Sequence, residues 1–165
     1  MATLNEVYCK FGETAEAAQI LETQLGTMLF GLNVSAENLF EAKNPERAAE
    51  ILDGVNRHTL GQLLKRLGKT TDFLNSLESQ LVQALGERNR LSHVFYRQHN
   101  LRRNSAEGRD IMLKDLEQMH DILLNAYKAV MLLNGVDLDA MVATSSDAPD
   151  QQAQSVNLPT RHLPI

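Results

Sequence analysis

Apolar residues return at every third or fourth position through two long, uninterrupted stretches of this chain, and that period admits few folds. From Leu4 to Leu32 the recurrence is Leu4, Tyr8, Phe11, Ala15, Ala18, Leu25, Leu29 and Leu32, with Leu21 filling the stripe where Glu22 interrupts it. From Ser105 to Asn134 it is Met112, Leu116, Met119, Leu123, Ala126, Val130 and Leu133. Steps of three and four put side chains on one side of an α-helix, and that side must be buried against another element. No stretch alternates apolar and polar residues as a half-buried strand does. The spacing predicts an all-α helical bundle of four to five main helices.

Local signals punctuate the bundle. SAENLFEA predicts a short helix with Ser35 as N-cap. NPERAAEILDGVN opens with Asn44 as N-cap and Pro45 at the first helical position, with Gly54 near its end. HTLGQLLKRLGK predicts another helix, ending near Gly68. A long helix is expected from near Asp72 to about His99. Asn104, with Glu107 three residues on, resembles a capping box that opens the last long helix, and Asn134-Gly135 is a fitting stop. VDLDAMVA adds one short helix. Residues 1–143 thus form the bundle. Residues 144–165 are polar, hold three of the four prolines and are expected to be a disordered tail.

Composition excludes several classes. No apolar run approaches the roughly 18 residues of a membrane span. MATLNEVYCKFGE has neither the basic start nor the apolar core of a signal peptide, so a cytoplasmic protein with no membrane contact is expected. The lone Cys9 has no partner for an internal disulfide and is expected to be a buried thiol beside the first stripe. HExxH and CxxC are absent, there is no glycine-rich phosphate loop, and Glu13, Glu16 and Glu22 lack the Glu-x-x-His that would complete a di-metal site. Neither a metal nor a cofactor is expected. His58 and His120 read as cap or surface residues, and His99 as surface.

One segment departs from the rest. The chain carries a formal net charge of −5, yet six arginines fall between Arg88 and Arg109 against one acid, Glu107. The apolar seam of the fourth segment runs through positions 74, 77, 81, 84, 88, 91 and 95, and only Arg88 breaks it. Arginine keeps its charge, so on such a seam it reaches solvent, meets an acid or lines a cleft where charge is wanted. Glu22, which interrupts the first stripe, is a candidate acid. Asn89, His93, Tyr96 and Asn100 share the neighbouring helical face.

RNRLSH, residues 88–93, resembles the motif of HEPN-domain proteins: an arginine, usually followed by Asn, Asp or His, then three variable residues and a histidine. Arg88, Asn89 and His93 match it position by position. The resemblance is specific over those six residues and the sequence just after them, and extends over roughly residues 1–135 as an order of helices. It implies a four- or five-helix bundle that pairs as a homodimer, with two motif copies facing each other across a cleft. It implies a metal-independent endoribonuclease acting on single-stranded RNA, of the toxin–antitoxin or phage-defence kind, with an antitoxin or partner protein. Some members have lost catalysis, so the alternative is a non-catalytic helical dimer that binds RNA, a nucleotide or a protein. A third reading is a helical dimerisation protein whose RNRLSH is accidental. One family variant carries a tyrosine two residues after the histidine, where a partner nucleotidyltransferase modifies it. This chain departs from that variant, having Phe95 there and Tyr96 one place later.

The residues suit RNA cleavage on chemical grounds as well. RNA brings its own nucleophile, the 2′-OH; cleavage needs a base, an acid and positive charge on the phosphorane. His93 is the candidate proton-transfer group, because an imidazole can both accept and donate a proton. Arg88 clamps phosphoryl oxygens, and Asn89 orients a phosphate or His93. Arg90, Arg97, Arg102, Arg103 and Arg109 are candidates for holding flanking phosphates, and Tyr96 for stacking on a base.

Overall fold

A computed structural model describes residues 1–42, 44–70 and 77–141, and among them every regular element is helical. The helices are α1 (Leu4–Ala36), α2 (Leu39–Ala42), α3 (Pro45–Asn56), α4 (Leu60–Thr70), α5 (Glu78–His93), α6 (Phe95–Gln98) and α7 (Ala106–Leu133). A 3-10 turn spans Arg102–Asn104, and a last helical turn covers 138–141. None of the described helices is long and apolar enough to cross a membrane. The expected start near Asp72, the seam position Leu74 and the whole proposed tail lie outside the described residues.

Helix ends follow local chemistry. Thr3 caps α1 in a reciprocal box: its backbone N–H donates to Glu6 Oε2 at 2.6 Å, and the Glu6 N–H donates to Thr3 Oγ1 at 3.2 Å. Asn44 caps α3, with Pro45 first in the helix, as expected. Two expected caps move. Ser35 does not open a helix, because α1 runs on through Ala36; the chain turns at Asn38 (φ 52°), a left-handed conformation that asparagine tolerates. At α7 the cap is Ser105, whose hydroxyl accepts from the Gly108 N–H at 3.0 Å, one residue later than Asn104. Gly135, at φ +80°, ends α7 where the Asn-Gly pair pointed.

Helices α1 and α7 form the central pair and run parallel. Ala2 lies against Arg109 and Asp110, and the Thr14 hydroxyl donates to the Leu116 carbonyl at 3.3 Å. Helix α5 returns antiparallel along α7, while α3 and α4 cover the far end of α1. The larger core joins Leu21, Leu25, Leu29, Leu60, Leu63, Leu67, Leu81, Leu123 and Val130; a smaller one joins Val7, Leu91, Phe95, Met112, Leu116 and Met119. Truncating one such leucine to alanine costs about 2–5 kcal/mol.

The α7 stripe is buried from Met112 to Val130 as the spacing predicts. The α1 stripe is two faces, not one. Val7, Thr14 and Leu21 face α7, whereas Phe11 meets α6 and Glu22 meets α5. Tyr8 is consequently 46 % exposed, and Cys9 is an exposed thiol rather than a buried one.

Candidate active site

The basic segment is built on a broken helix. Helix α5 ends at His93, Val94 leaves helical geometry (φ −122°, ψ −30°), and Phe95 starts the single turn α6. The expected continuous helix to His99 is therefore interrupted just after the motif histidine. The seam itself holds: Leu81, Ala84, Leu91 and Phe95 are buried, and Leu77 packs against the larger core.

Arg88, the one charge on the seam, meets the acid that interrupts the first stripe. Its Nη2 lies 3.5 Å from Glu22 Oε2, with both side chains about a quarter exposed, and its Nη1 donates to Asn89 Oδ1 at 3.3 Å. Both contacts are long. Helix α5 packs chiefly along α7 and only sparsely on α1, so this pair is one of the few links between α1 and α5. Asn89 and His93 are exposed, with His93 about 140° around α5 from Arg88 at 100° per residue. Two of the three motif side chains are in direct contact, and the third stands one helical turn further on.

Tyr96 sits on the far side of the break. Its ring packs 5.2 Å from both Phe11 and Phe95, yet 42 % of the residue faces solvent. Burial of the phenol, with Tyr8 nearby, pushes its pKa up, and Arg103 works against that rise. An amphipathic ring beside a guanidinium can present a stacking surface.

The other arginines divide into two groups. Arg97, Arg102 and Arg103 are exposed. Arg90 is not available as a free phosphate ligand. It grips Asp115 of α7 at two points (Nη1–Oδ2 2.8 Å, Nη2–Oδ1 2.9 Å) and also bonds Glu87 and Gln98. That hydrogen bonding raises the Arg90 pKa further and holds the Asp115 carboxyl below the usual range. Arg109 donates to the carbonyls of Ala2 and Arg103, tying the start of α1 to α7.

His99 overturns its expected place at the surface. It is 2 % exposed, stacks against Phe95 with ring centroids 4.6 Å apart, and puts Nε2 2.7 Å from Asp115 Oδ2. Arg102 Nη1 lies 3.0 Å from its Nδ1. One more step of four from Phe95 along the seam lands on His99, so the sequence held a signal for its burial. Asp115 had none, because it lies between apolar positions of another helix. His58 keeps its expected role near a helix end, with Nδ1 3.3 Å from the Val55 carbonyl. Among the described residues no group of three or more His, Cys, Asp or Glu is arranged to hold a metal ion.

No protein-family model matches the chain, and neither a curated protein nor a solved structure does.

Proposed function

We propose that the chain is a metal-independent endoribonuclease of HEPN type that cuts single-stranded RNA at a homodimer cleft in the cytoplasm, as a toxin or phage-defence effector. The observation that supports it most is the state of the motif: His93 is exposed at the end of α5, the helix on which Arg88 is held only by long contacts. In this reading His93 takes the 2′-OH proton, and its copy in the partner protomer protonates the leaving 5′-oxygen. Arg88 stabilises the phosphorane and Asn89 orients the phosphate. Arg97, Arg102 and Arg103 hold flanking phosphates, and Tyr96 stacks on a base. The exposed Tyr8 and Tyr96 beside the seam suit a self-complementary contact. Light scattering should therefore return twice the 18.4 kDa chain mass.

The test incubates single-stranded RNA in excess EDTA with wild type, His93→Ala and Asn89→Ala. Wild type should leave 2′,3′-cyclic phosphate ends. His93→Ala should lose on the order of 10²- to 10⁴-fold in rate while keeping its helical circular dichroism, and Asn89→Ala should lose less. Cleavage that stops in EDTA, or that continues in folded His93→Ala, refutes the assignment. One observation favours a second reading, a non-catalytic module for RNA, a nucleotide or a partner protein: Glu22 already supplies Arg88 with a carboxylate. Binding of RNA without cleavage by any form would establish that reading instead.

A further inference from the structure

The charged cluster on the α7 side of α5 is too well ordered to be incidental to the site. A single carboxylate, Asp115, holds both arms of the broken helix. Arg90 lies before the break and is bound at two points; His99 lies after it and is bound at 2.7 Å. His93 and Tyr96 lie between those two anchors. A guanidinium only donates hydrogen bonds, so the Arg102 contact makes His99 Nδ1 an acceptor and places the ring proton on Nε2, facing Asp115. Arg102 is fixed from its backbone side too. A Cβ on Gly108 would sit 2.1 Å from the Arg102 carbonyl oxygen, so only glycine lets the basic 3-10 turn lie against α7 this closely. The chain from Arg90 to Arg102 is thereby referred to one atom group on a rigid helix.

We infer that Asp115 is a positioning residue: through Arg90 and His99 it sets the angle of the α5–α6 break and so the placement of His93 relative to Tyr96. This rests on the ribonuclease reading for its catalytic consequence, but not for its structural one. Arg90 is also tied directly to the arm after the break, since Gln98 Oε1 accepts from it at 3.3 Å. Without the carboxylate, α6 keeps its apolar anchor in Phe95 and the Gln98–Arg90 contact, but the two arms lose the group on α7 that joins them. A reacting group displaced by about 1 Å can cost two orders of magnitude in rate.

The experiment compares full-length wild type with Asp115→Asn and Arg90→Lys, following the His93 ring resonance by NMR together with kcat and KM on single-stranded RNA. Asp115→Asn should retain helical circular dichroism, shift the His93 resonance, and lower kcat by about tenfold or more, with a smaller change in KM. Arg90→Lys keeps the charge and gives up the two-point grip, and should move the same readings in the same direction. It decides the matter if Asp115→Asn does not fold. Folded variants with wild-type kcat and an unmoved His93 resonance overturn the inference, even where their melting temperature falls, because Asp115 would then only stabilise the bundle. If wild type cuts no RNA, the ribonuclease reading fails separately. The His93 resonance then decides alone: a shift sustains the positioning role, and no shift overturns it.

Discussion

Two seams meet on α5, and they treat arginine in opposite ways. On the α7 side, Arg90 is gripped by Asp115 at 2.8 and 2.9 Å, with Glu87 adding a second acid. On the α1 side, two residues earlier, Arg88 has one acid at 3.5 Å and an amide at 3.3 Å. The first arrangement satisfies a half-buried cation about as fully as its fork geometry allows. The second holds a cation in place without saturating it. A protein that needs only stability gains little from leaving Arg88 like this. A protein that binds an anion there gains a donor set that a phosphate can complete. The contrast separates a structural arginine from a candidate functional one on a single helix.

The comparison breaks most visibly if the two arginines are exchanged in their effects. Arg88→Ala should lower RNA cleavage by about 10²- to 10³-fold, by analogy with losing one oxyanion donor, and should barely move the melting temperature. Arg90→Ala strips Asp115 of its main partner and should cost about 2 kcal/mol of stability, or a melting temperature several degrees lower. Cleavage rates and thermal melts on the same preparations check both. A strongly destabilised Arg88→Ala beside a fully stable Arg90→Ala would reverse the roles.

Much of this frame was legible from spacing. The α7 stripe, the seam through Leu81, Ala84, Leu91 and Phe95, the Asn44-Pro45 start and the Asn-Gly stop all follow from period and local backbone chemistry, which are short-range. The Glu22–Arg88 pair was legible for a related reason: each is the one charge on its own apolar stripe, and stripes face each other. What spacing could not supply was anything set by distant partners. Arg90 and His99 looked like members of one basic cluster, but they are the two arms of a clamp closed by Asp115, respectively 25 and 16 positions away in sequence. The break at Val94 was equally hidden, since no glycine or proline marks it and the apolar seam continues across it. Tyr8 and Cys9 were misplaced because one stripe was read where α1 has two.

Acid should sharpen the difference between the seams. Hydrogen bonds from Arg90, and secondarily from His99, hold the Asp115 pKa below its ordinary value near 3.8. A carboxyl whose folded pKa is lowered contributes stability that is fully present above its unfolded pKa and is lost as pH falls through the folded value. Wild type should therefore exceed Asp115→Asn in urea midpoint at neutral pH. That margin should shrink below about pH 4 and close where both side chains are uncharged. A margin that stays constant from pH 7 to pH 2 would show that the charge of Asp115 is not what joins α5 and α6 to α7.

Glu22→Gln should have a small effect on stability and an informative effect on binding. An ion pair as long as 3.5 Å between side chains still about a quarter exposed is worth about 1 kcal/mol, so the melting temperature should shift by only a few degrees. Glutamine keeps the length of the side chain and removes its charge. If Arg88 receives a phosphate, Glu22 competes with that phosphate and repels it. Two unit charges about 4 Å apart in water interact by about 1 kcal/mol, which corresponds to roughly fivefold in affinity. Glu22→Gln should then bind single-stranded RNA a few-fold more tightly at low salt, with the gain fading as salt screens it. Titration of a labelled oligonucleotide at two ionic strengths measures this directly. Unchanged affinity at low salt would mean that RNA does not approach Arg88, and that the Arg88–Glu22 pair serves only to link α1 and α5.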